Sequence, residues 1–247
     1  MVNIQVKLGG KVYSCGGSII GSKYVLTAAH CVAASTPDDL EVVVGAHNLT
    51  EGVHVAASKI TVPENYDLEK GMQYDIAVIE LREALKFSKK VSPICIAESD
   101  HEPFDMMKIA GWGRFGENKK SSETLQETEV QYVDEWTCYL AKYWFLVKLH
   151  GLNPKKQHEI PDLHENHMCA RNHWNGGDAC SGDTGGPLMY QSPATFKYFA
   201  VGVTSGGLDP CGNPRTPSFY TKVKNFREFI RQHAPDICLQ PYDYDEI

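Results

Sequence analysis

A succession of short β-forming runs, divided by Gly, Pro, Asn and Asp, constrains the fold of this chain most. Residues 24–27, 41–44, 76–79 and 200–203 are runs of this kind. Runs of this length between turn-forming residues are typical of strands, and many short strands pack as a barrel or a sandwich. With 247 residues and 42% hydrophobic content, the chain can form one all-β unit or two closely packed halves.

Two segments have the apolar spacing of helices. Residues 222–232 place four apolar side chains on one face, and Pro235 marks the end of this helix. Residues 136–148 can form a second helix, and the polar residues 153–156 predict a loop after it. Residues 239–247 are expected to form an acidic, tyrosine-rich tail.

The cysteine content indicates the compartment. Eight cysteines, even in number and without C-x-x-C spacing, are typical of disulfides formed in an oxidising environment. We therefore expect a secreted, extracellular protein whose export signal is missing from this sequence, because the chain opens without a signal-peptide pattern. The triplet Asn48-Leu49-Thr50 is an acceptor for N-glycosylation at Asn48.

The charge and the apolar pattern exclude two classes of partner. A formal net charge of −7 argues against nucleic acid and favours either cationic peptides or simple solubility. No apolar run approaches the length of about 18 residues that a membrane-spanning helix needs.

Two segments carry residues suited to acyl transfer, which needs a nucleophile, a base, an orienting acid and donors for the oxyanion. His30 stands beside Cys31, so that a disulfide could fix the position of the imidazole. Asp75 opens a run that has the composition of a buried strand. A single buried histidine or aspartate is usually structural, but these two are joined by a third segment.

The third segment, residues 177–188, is rich in glycine and permits a tight, strained backbone. Such a turn can direct the amide N–H groups of Gly182 and Thr184 at one developing oxyanion. Three segments of this kind in one chain favour catalysis over coincidence.

Six motifs in this order resemble the trypsin and chymotrypsin family of serine proteases over nearly the whole chain. The resemblance implies an all-β fold of two antiparallel six-stranded Greek-key barrels with a C-terminal helix. It also implies one protease domain over residues 1–238, with halves at about 1–108 and 109–220 and the active site between them. The motifs are Cys15-Gly16-Gly17-Ser18-Ile19-Ile20, Thr27-Ala28-Ala29-His30-Cys31, Asp75-Ile76-Ala77, Gly111-Trp112-Gly113, Gly182-Asp183-Thr184-Gly185-Gly186-Pro187 and Phe219-Tyr220-Thr221-Lys222-Val223.

The resemblance assigns a role to each catalytic position. His30 would be the general base, Asp75 the acid that orients it, and Gly182 with Thr184 the oxyanion donors. Thr184 stands where the family has its nucleophilic serine. The added β-methyl restricts χ1 and disturbs the aim of the hydroxyl, which predicts a slow enzyme.

The resemblance also implies disulfides between Cys15 and Cys31, Cys138 and Cys169, and Cys180 and Cys211. Two cysteines remain, Cys95 and Cys238. They can pair with each other, or Cys95 can bind an upstream propiece or light chain.

The substrate-binding residues implied by the resemblance are Asp178, Ser205, Gly207 and Ser218. Asp178 matches the aspartate at the floor of the specificity pocket and implies cleavage after Lys or Arg. Ser205-Gly206-Gly207 replaces the usual Ser-Trp-Gly, which removes an aromatic wall. Ser218 replaces a glycine and narrows the way to Asp178, so the preference for Lys or Arg is left open.

Activation in the family pairs the carboxylate at Asp183 with the freed α-ammonium group of an Ile-Val-Gly-Gly terminus. The sequence does not carry that terminus, so we expect the chain to resemble an unactivated zymogen. Truncation of the sequence and a natural absence of the terminus explain this equally well. Residues 45–56 offer only Glu51 as an acid, so we predict no calcium loop, no metal and no cofactor.

Two functions are compatible with these residues. One is a secreted endopeptidase that acts on protein or peptide substrates and binds protease inhibitors. The other is an inactive homologue that serves as a binding or regulatory module in a proteolytic cascade. The long span between Cys138 and Cys169 bears aromatics at 143–145, which either cover the barrel or form an exosite.

Overall fold

The computed structural model describes residues 1–67, 73–98, 106–114, 120–150, 165–174, 178–207, 211 and 216–240. The predicted loop at 153–156 and the tail beyond Gln240 lie outside the described residues. The helices are α1 (Ala29–Val32), α2 (Glu135–His150) and α3 (Arg227–His233). The strands are β1 (Val2–Leu8), β2 (Lys11–Ile19), β3 (Tyr24–Thr27), β4 (Leu40–Val44), β5 (Val53–Thr61), β6 (Ala77–Leu81), β7 (Cys95–Ala97), β8 (Met106–Gly111), β9 (Gln126–Val133), β10 (His167–Arg171), β11 (Pro187–Gln191), β12 (Tyr198–Gly207), β13 (Ser218–Lys222) and β14 (Leu239–Gln240).

The first six strands close into an antiparallel barrel in the order β1-β2-β3-β6-β5-β4. β4 lies beside β1, which is the Greek-key arrangement of the first four strands. Branched aliphatic side chains fill the interior, because they suit a pleated and buried surface. Ile4, Leu26 and Ile79 are fully buried there.

The second barrel repeats this arrangement. β8, β9, β10, β13, β12 and β11 form its closed ring, with β11 beside both β8 and β12. β7 and β14 extend the sheet as parallel neighbours of β12 and of β7 respectively. The prediction of two six-stranded Greek-key barrels is confirmed, although Leu239 and Gln240 belong to β14 rather than to the predicted tail.

The barrels meet through bare backbone near the catalytic segments. A Cβ placed on Gly16 of β2 would lie 2.7 Å from the amide nitrogen of Gly186, in the turn before β11. The Ile94 amide also donates to the carbonyl of Ile19 at 2.8 Å. Glycine is therefore required at Gly16, because any side chain would separate the two barrels.

The helix predictions have different outcomes. The helix predicted over residues 136–148 is confirmed as α2. The helix predicted over 222–232 begins too early, because Lys222 pairs with Gly202 as the last residue of β13. A 3₁₀ turn over Val223–Phe226 follows, and α3 starts only at Arg227.

The structure contains four disulfides. Cys15–Cys31, Cys138–Cys169 and Cys180–Cys211 are the pairs that the resemblance implied. The remaining bond joins Cys95 to Cys238. Cys95 is thus not available in this structure to hold a separate light chain.

Candidate active site

The three predicted catalytic residues lie between the barrels. His30 lies on α1 directly after β3, Asp75 directly precedes β6, and Thr184 lies in the turn before β11. β3 and β6 are hydrogen-bonded neighbours with Thr27 opposite Ala77. The pairing brings His30 and Asp75 together although they are 45 residues apart in sequence.

Asp75 holds the imidazole of His30 by two contacts. His30 Nδ1 lies 2.8 Å from Oδ2 of Asp75, and the His30 backbone amide donates to Oδ1 at 2.9 Å. Asp75 is fully buried, whereas 22% of the His30 side chain is exposed. With Nδ1–H directed at the carboxylate, Nε2 is left as the proton acceptor.

Two further side chains complete the environment of Asp75. The hydroxyl of Ser205 donates to Oδ2, and the hydroxyl of Thr221 donates to the Asp75 carbonyl oxygen at 2.9 Å. The Ser205 hydroxyl stabilises the buried carboxylate that has lost its water, whereas the Thr221 hydroxyl fixes the backbone of Asp75. The sequence placed Ser205 only in substrate binding and gave Thr221 no role, although Thr221 stands in one of the six motifs that carry the resemblance.

Thr184 is fixed through its backbone. Its carbonyl oxygen accepts a 2.6 Å hydrogen bond from the amide of Gly16. That oxygen lies 3.8 Å from Cys31 Sγ, and Nε2 of His30 lies 3.9 Å from the same sulfur. Within the described residues, however, no hydrogen bond joins the Thr184 hydroxyl to His30.

Glycines shape the turn that carries Thr184. Gly182 has φ +103°, a conformation that L side chains rarely adopt. Gly185 has φ +83°, and a Cβ there would lie 2.3 Å from Thr27 Oγ1. In the described part of the chain, the amides of Gly182 and Thr184 donate to no protein acceptor. Both N–H groups are thus available for an oxyanion.

Asp183 folds back onto the Gly111-Trp112-Gly113 segment. Its carboxylate accepts hydrogen bonds from the Gly113 amide at 2.7 Å and from the Cys180 amide at 3.1 Å. A Cβ on Gly111 or Gly113 would lie 1.9 or 2.2 Å from a carboxylate oxygen. Burial raises the pKa of Asp183, and the two amide donors oppose that rise.

A cavity of about 110 Å³ opens beside Thr184. Gly206 and Gly207 of β12 form one wall, and none of the described residues that line the cavity is aromatic. The Cys180–Cys211 disulfide and Ala179 form other parts of the lining. Neither Asp178 nor Ser218 is among the described residues that line this cavity.

Asp178 contacts Ser218, which lies next to the cavity wall. The Ser218 hydroxyl hydrogen-bonds the Asp178 carboxyl group, and Ser218 Oγ would lie 3.1 Å from a Cβ on Gly207 of the cavity wall. Burial raises the pKa of Asp178 to about 6, against the effect of hydrogen bonds from Ser218 and from the Ala179 amide. Burial, together with the charges of Asp178 and Asp183, also raises the pKa of the fully buried Tyr220.

The predicted sequon and part of α2 are exposed to solvent. Oδ1 of Asn48 accepts from the Thr50 amide at 3.0 Å and from the Thr50 hydroxyl at 2.8 Å. On α2, Tyr143 is buried, whereas 59% of Trp144 is exposed. One predicted aromatic is therefore buried and its neighbour faces solvent. The side chain of Phe145 lies outside the described residues.

Comparisons with known proteins agree with this geometry. The family profile described as Trypsin matches residues 1–230. The chain is 32% identical over 229 residues to the clotting factor G beta subunit of Tachypleus tridentatus, a match that covers 89% of this chain and 71% of that one. It is 30% identical over 233 residues to the serine proteinase stubble of Drosophila melanogaster, which covers 90% of this chain and 27% of that one.

No helix among the described residues combines the length and the apolar character needed to cross a membrane.

Proposed function

The chain belongs to the trypsin family, and on that premise we propose that it is the protease domain of a secreted serine-type endopeptidase that cleaves after Lys or Arg. The observation that carries this proposal is the fully buried Asp75, which holds His30 at 2.8 Å while Ser205 donates to the same carboxylate oxygen. A module that only binds has no chemical need for such a network.

The proposed reaction uses residues that lie together in the structure. His30 Nε2 takes the proton of the Thr184 hydroxyl as its oxygen attacks the scissile carbonyl. The amides of Gly182 and Thr184 stabilise the oxyanion. His30 then gives the proton to the leaving amine, and water, activated by His30 in turn, hydrolyses the acyl-enzyme ester to release the acid and restore Thr184.

Thr184 makes this enzyme slow in our proposal. Its β-methyl leaves fewer χ1 rotamers for the hydroxyl. Among the described residues, no hydrogen bond joins this hydroxyl to His30. Misplacement by about one ångström can cost on the order of 10²-fold in rate. The backbone of the site is otherwise intact, since Gly16 holds the Thr184 carbonyl.

Asp178 supports the preference for Lys or Arg. A partly buried carboxylate with a raised pKa is stabilised by a cationic partner, and a substrate side chain that enters the cavity beside Thr184 can supply one. Ser218 stands between the cavity wall and this carboxylate. We therefore expect a narrow pocket in which the substrate side chain meets the hydroxyl of Ser218 before it reaches Asp178.

Asp183 supports synthesis as a zymogen. Burial raises its pKa, and its only hydrogen-bond donors among the described residues are the amides of Cys180 and Gly113. An α-ammonium group created by cleavage upstream would stabilise the ionised carboxylate. The four disulfides support secretion, because such bonds persist in oxidising compartments.

An inactive binding module is the second candidate function. The lack of a hydrogen bond between the Thr184 hydroxyl and His30 among the described residues favours it. The side chains of Trp136 and Trp144 favour it too, since they are 64% and 59% exposed on α2. Large exposed aromatics mark many protein interaction surfaces. In that case the protein would engage a partner of a proteolytic cascade without cleaving it.

The test is amide hydrolysis by the domain with a cleaved Ile-Val-Gly-Gly segment upstream, with Thr184 and with Thr184→Ser side by side. Lysyl, arginyl, phenylalanyl and alanyl amides form the substrate panel. Slow cleavage after Lys or Arg that rises with serine supports the proposal. No cleavage by the Thr184 protein with full recovery by serine favours the binding module, and a preference for Phe or Ala overturns the assigned specificity.

A further inference from the structure

Tyr74, directly before Asp75, has an unusual backbone conformation. Its φ is +60°, and among the described residues other than glycine only Phe196 shares a positive φ. The left-handed region is unfavourable for a bulky L residue, because Cβ approaches the following carbonyl oxygen. Such a conformation persists only where the surroundings impose it, and it is common at functional sites.

The left-handed Tyr74 begins a tight turn that has Asp75 at its centre. The amide of Ile76 donates to the carbonyl of Tyr74 at 2.8 Å, which closes a three-residue turn with Asp75 at its centre. Asp75 does not have a positive φ, so this is the inverse γ-turn, a common way to begin a strand. The chain then enters β6 at Ala77.

A second segment holds both residues in place. The ring of Tyr74 meets Phe226 edge to face, with centroids 5.9 Å apart and planes at 84°. Phe226 ends the 3₁₀ turn that follows β13, and Thr221 of β13 donates to the Asp75 carbonyl. Within residues 221–226, Phe226 therefore packs against the ring of Tyr74, and the Thr221 hydroxyl binds the backbone carbonyl of Asp75.

We propose that Tyr74 is a positioning residue for the proposed protease: its left-handed backbone, held by the ring of Phe226, aims the Asp75 carboxylate at His30. The positioning role serves catalysis only if the proposed function is correct. The geometry it describes, the His30–Asp75 hydrogen bond, can be measured whether or not the protein hydrolyses a substrate. A ring that merely filled space would leave that bond unchanged when the backbone preference changes.

The experiment uses four variants that separate the backbone from the ring. Tyr74→Phe keeps both, Tyr74→Gly keeps the left-handed backbone and removes the ring, and Tyr74→Val removes the ring and disfavours a positive φ. Phe226→Leu weakens the hold on the ring without changing residues 73–76. The readout is the His30 Nδ1–H proton in protein labelled with ¹⁵N-histidine, since its hydrogen bond shifts this proton to low field and protects it from exchange.

We expect a protected low-field proton in the unchanged protein and in Tyr74→Phe and Tyr74→Gly. In Tyr74→Val we expect its loss, and a fall in kcat of about tenfold or more in the Thr184→Ser background with KM little changed. Phe226→Leu should speed the exchange of this proton in the protein with Tyr74 unchanged, but not in the Tyr74→Gly background.

Three outcomes would overturn the proposal. They are a protected proton in a folded Tyr74→Val protein, loss of the proton in a folded Tyr74→Gly protein, and an equal effect of Phe226→Leu in both backgrounds. If Tyr74→Val does not fold, the comparison of Phe226→Leu between the two backgrounds decides. Absence of hydrolysis throughout, with the proton behaving as expected, would refute the proposed protease and leave the positioning role in place.

Discussion

The amide of Gly16 donates a 2.6 Å hydrogen bond to the carbonyl oxygen of Thr184. A strand of the first barrel thus fixes the backbone of the residue that stands at the nucleophile position. Because this contact does not involve the side chain, serine at position 184 should adopt the same backbone. We therefore expect threonine at this position to affect only the direction of one hydroxyl group.

Thr184→Ser is therefore expected to raise kcat/KM for a lysyl amide by about 10²-fold, since serine lacks the β-methyl that restricts χ1. Steady-state hydrolysis by the activated domain measures this. The control is Thr184→Ser combined with His30→Ala, which should return the rate to background. Equal rates for threonine and serine would show that the methyl does not limit catalysis.

Gly182→Ala should reduce kcat/KM on the order of 10²-fold or more in the Thr184→Ser background. At φ +103° the added Cβ would lie 3.1 Å from Gly113 Cα, so the turn must shift and misdirect the oxyanion donors. Gly9→Ala is the matched control, because Gly9 also has a positive φ but no atom within 4 Å of the added Cβ. It should cost stability of about 1 kcal/mol without a loss of activity, and an unaffected Gly182→Ala enzyme would contradict the assigned role.

Ser218→Gly should favour arginyl over lysyl substrates by about tenfold relative to the unchanged enzyme. The Ser218 hydroxyl occupies the Asp178 carboxyl group, whereas a guanidinium needs both oxygens for its planar pair of donors. The ratio of kcat/KM for matched Arg and Lys amides measures the change. Ser218→Ala is the control, because it keeps most of the side-chain bulk near the pocket. An unchanged Arg-to-Lys ratio in Ser218→Gly would refute the restriction that we assign to Ser218.

Binding of a cation in the pocket should depend on pH through Asp178. Burial raises the pKa of Asp178 to about 6, so the Kd of benzamidine should be constant above about pH 7 and rise roughly tenfold per pH unit below about 6. Isothermal calorimetry measures this. In Asp178→Asn the weak remaining binding should lose that dependence; if the dependence persists there, another group is responsible.

The same pKa predicts an effect on stability. The folded-state pKa lies above the unfolded value of about 3.9, so folding takes up a proton between about pH 4 and 6. The contribution of Asp178 is therefore present in acid and is lost as the pH rises through about 6. Asp178→Asn should raise the free energy of unfolding at neutral pH on the order of 1 to 3 kcal/mol, as measured by denaturant titration, and a lower value would contradict this sign.

Much of the fold follows from local patterns in the sequence. Residues 24–27 form β3, and residues 41–44 and 200–203 lie inside β4 and β12, because β-branched residues between turn formers suit strands. The start of the late helix could not be predicted in this way. The apolar spacing that predicted the helix begins at Val223, and Lys222 before it is held extended by its pairing with Gly202.

Some features of the candidate site could likewise be predicted from the sequence, and others could not. His30, Asp75 and the glycine turn at 182–186 stand in short motifs, so their proximity could be anticipated. The contact of Ser205 with Asp75 spans 130 residues, and the left-handed backbone of Tyr74 depends on its packing against Phe226. Neither has a local signal, since tertiary packing alone creates them.

The approach of Gly16 to Gly186 has a consequence for how such a protein can be regulated. A Cβ on Gly16 would lie 2.7 Å from the Gly186 amide nitrogen, so movement of β2 towards the turn before β11 is sterically blocked at this point. We therefore expect regulation of this site to act on the turns around it rather than by movement of β2 against the turn that carries Thr184.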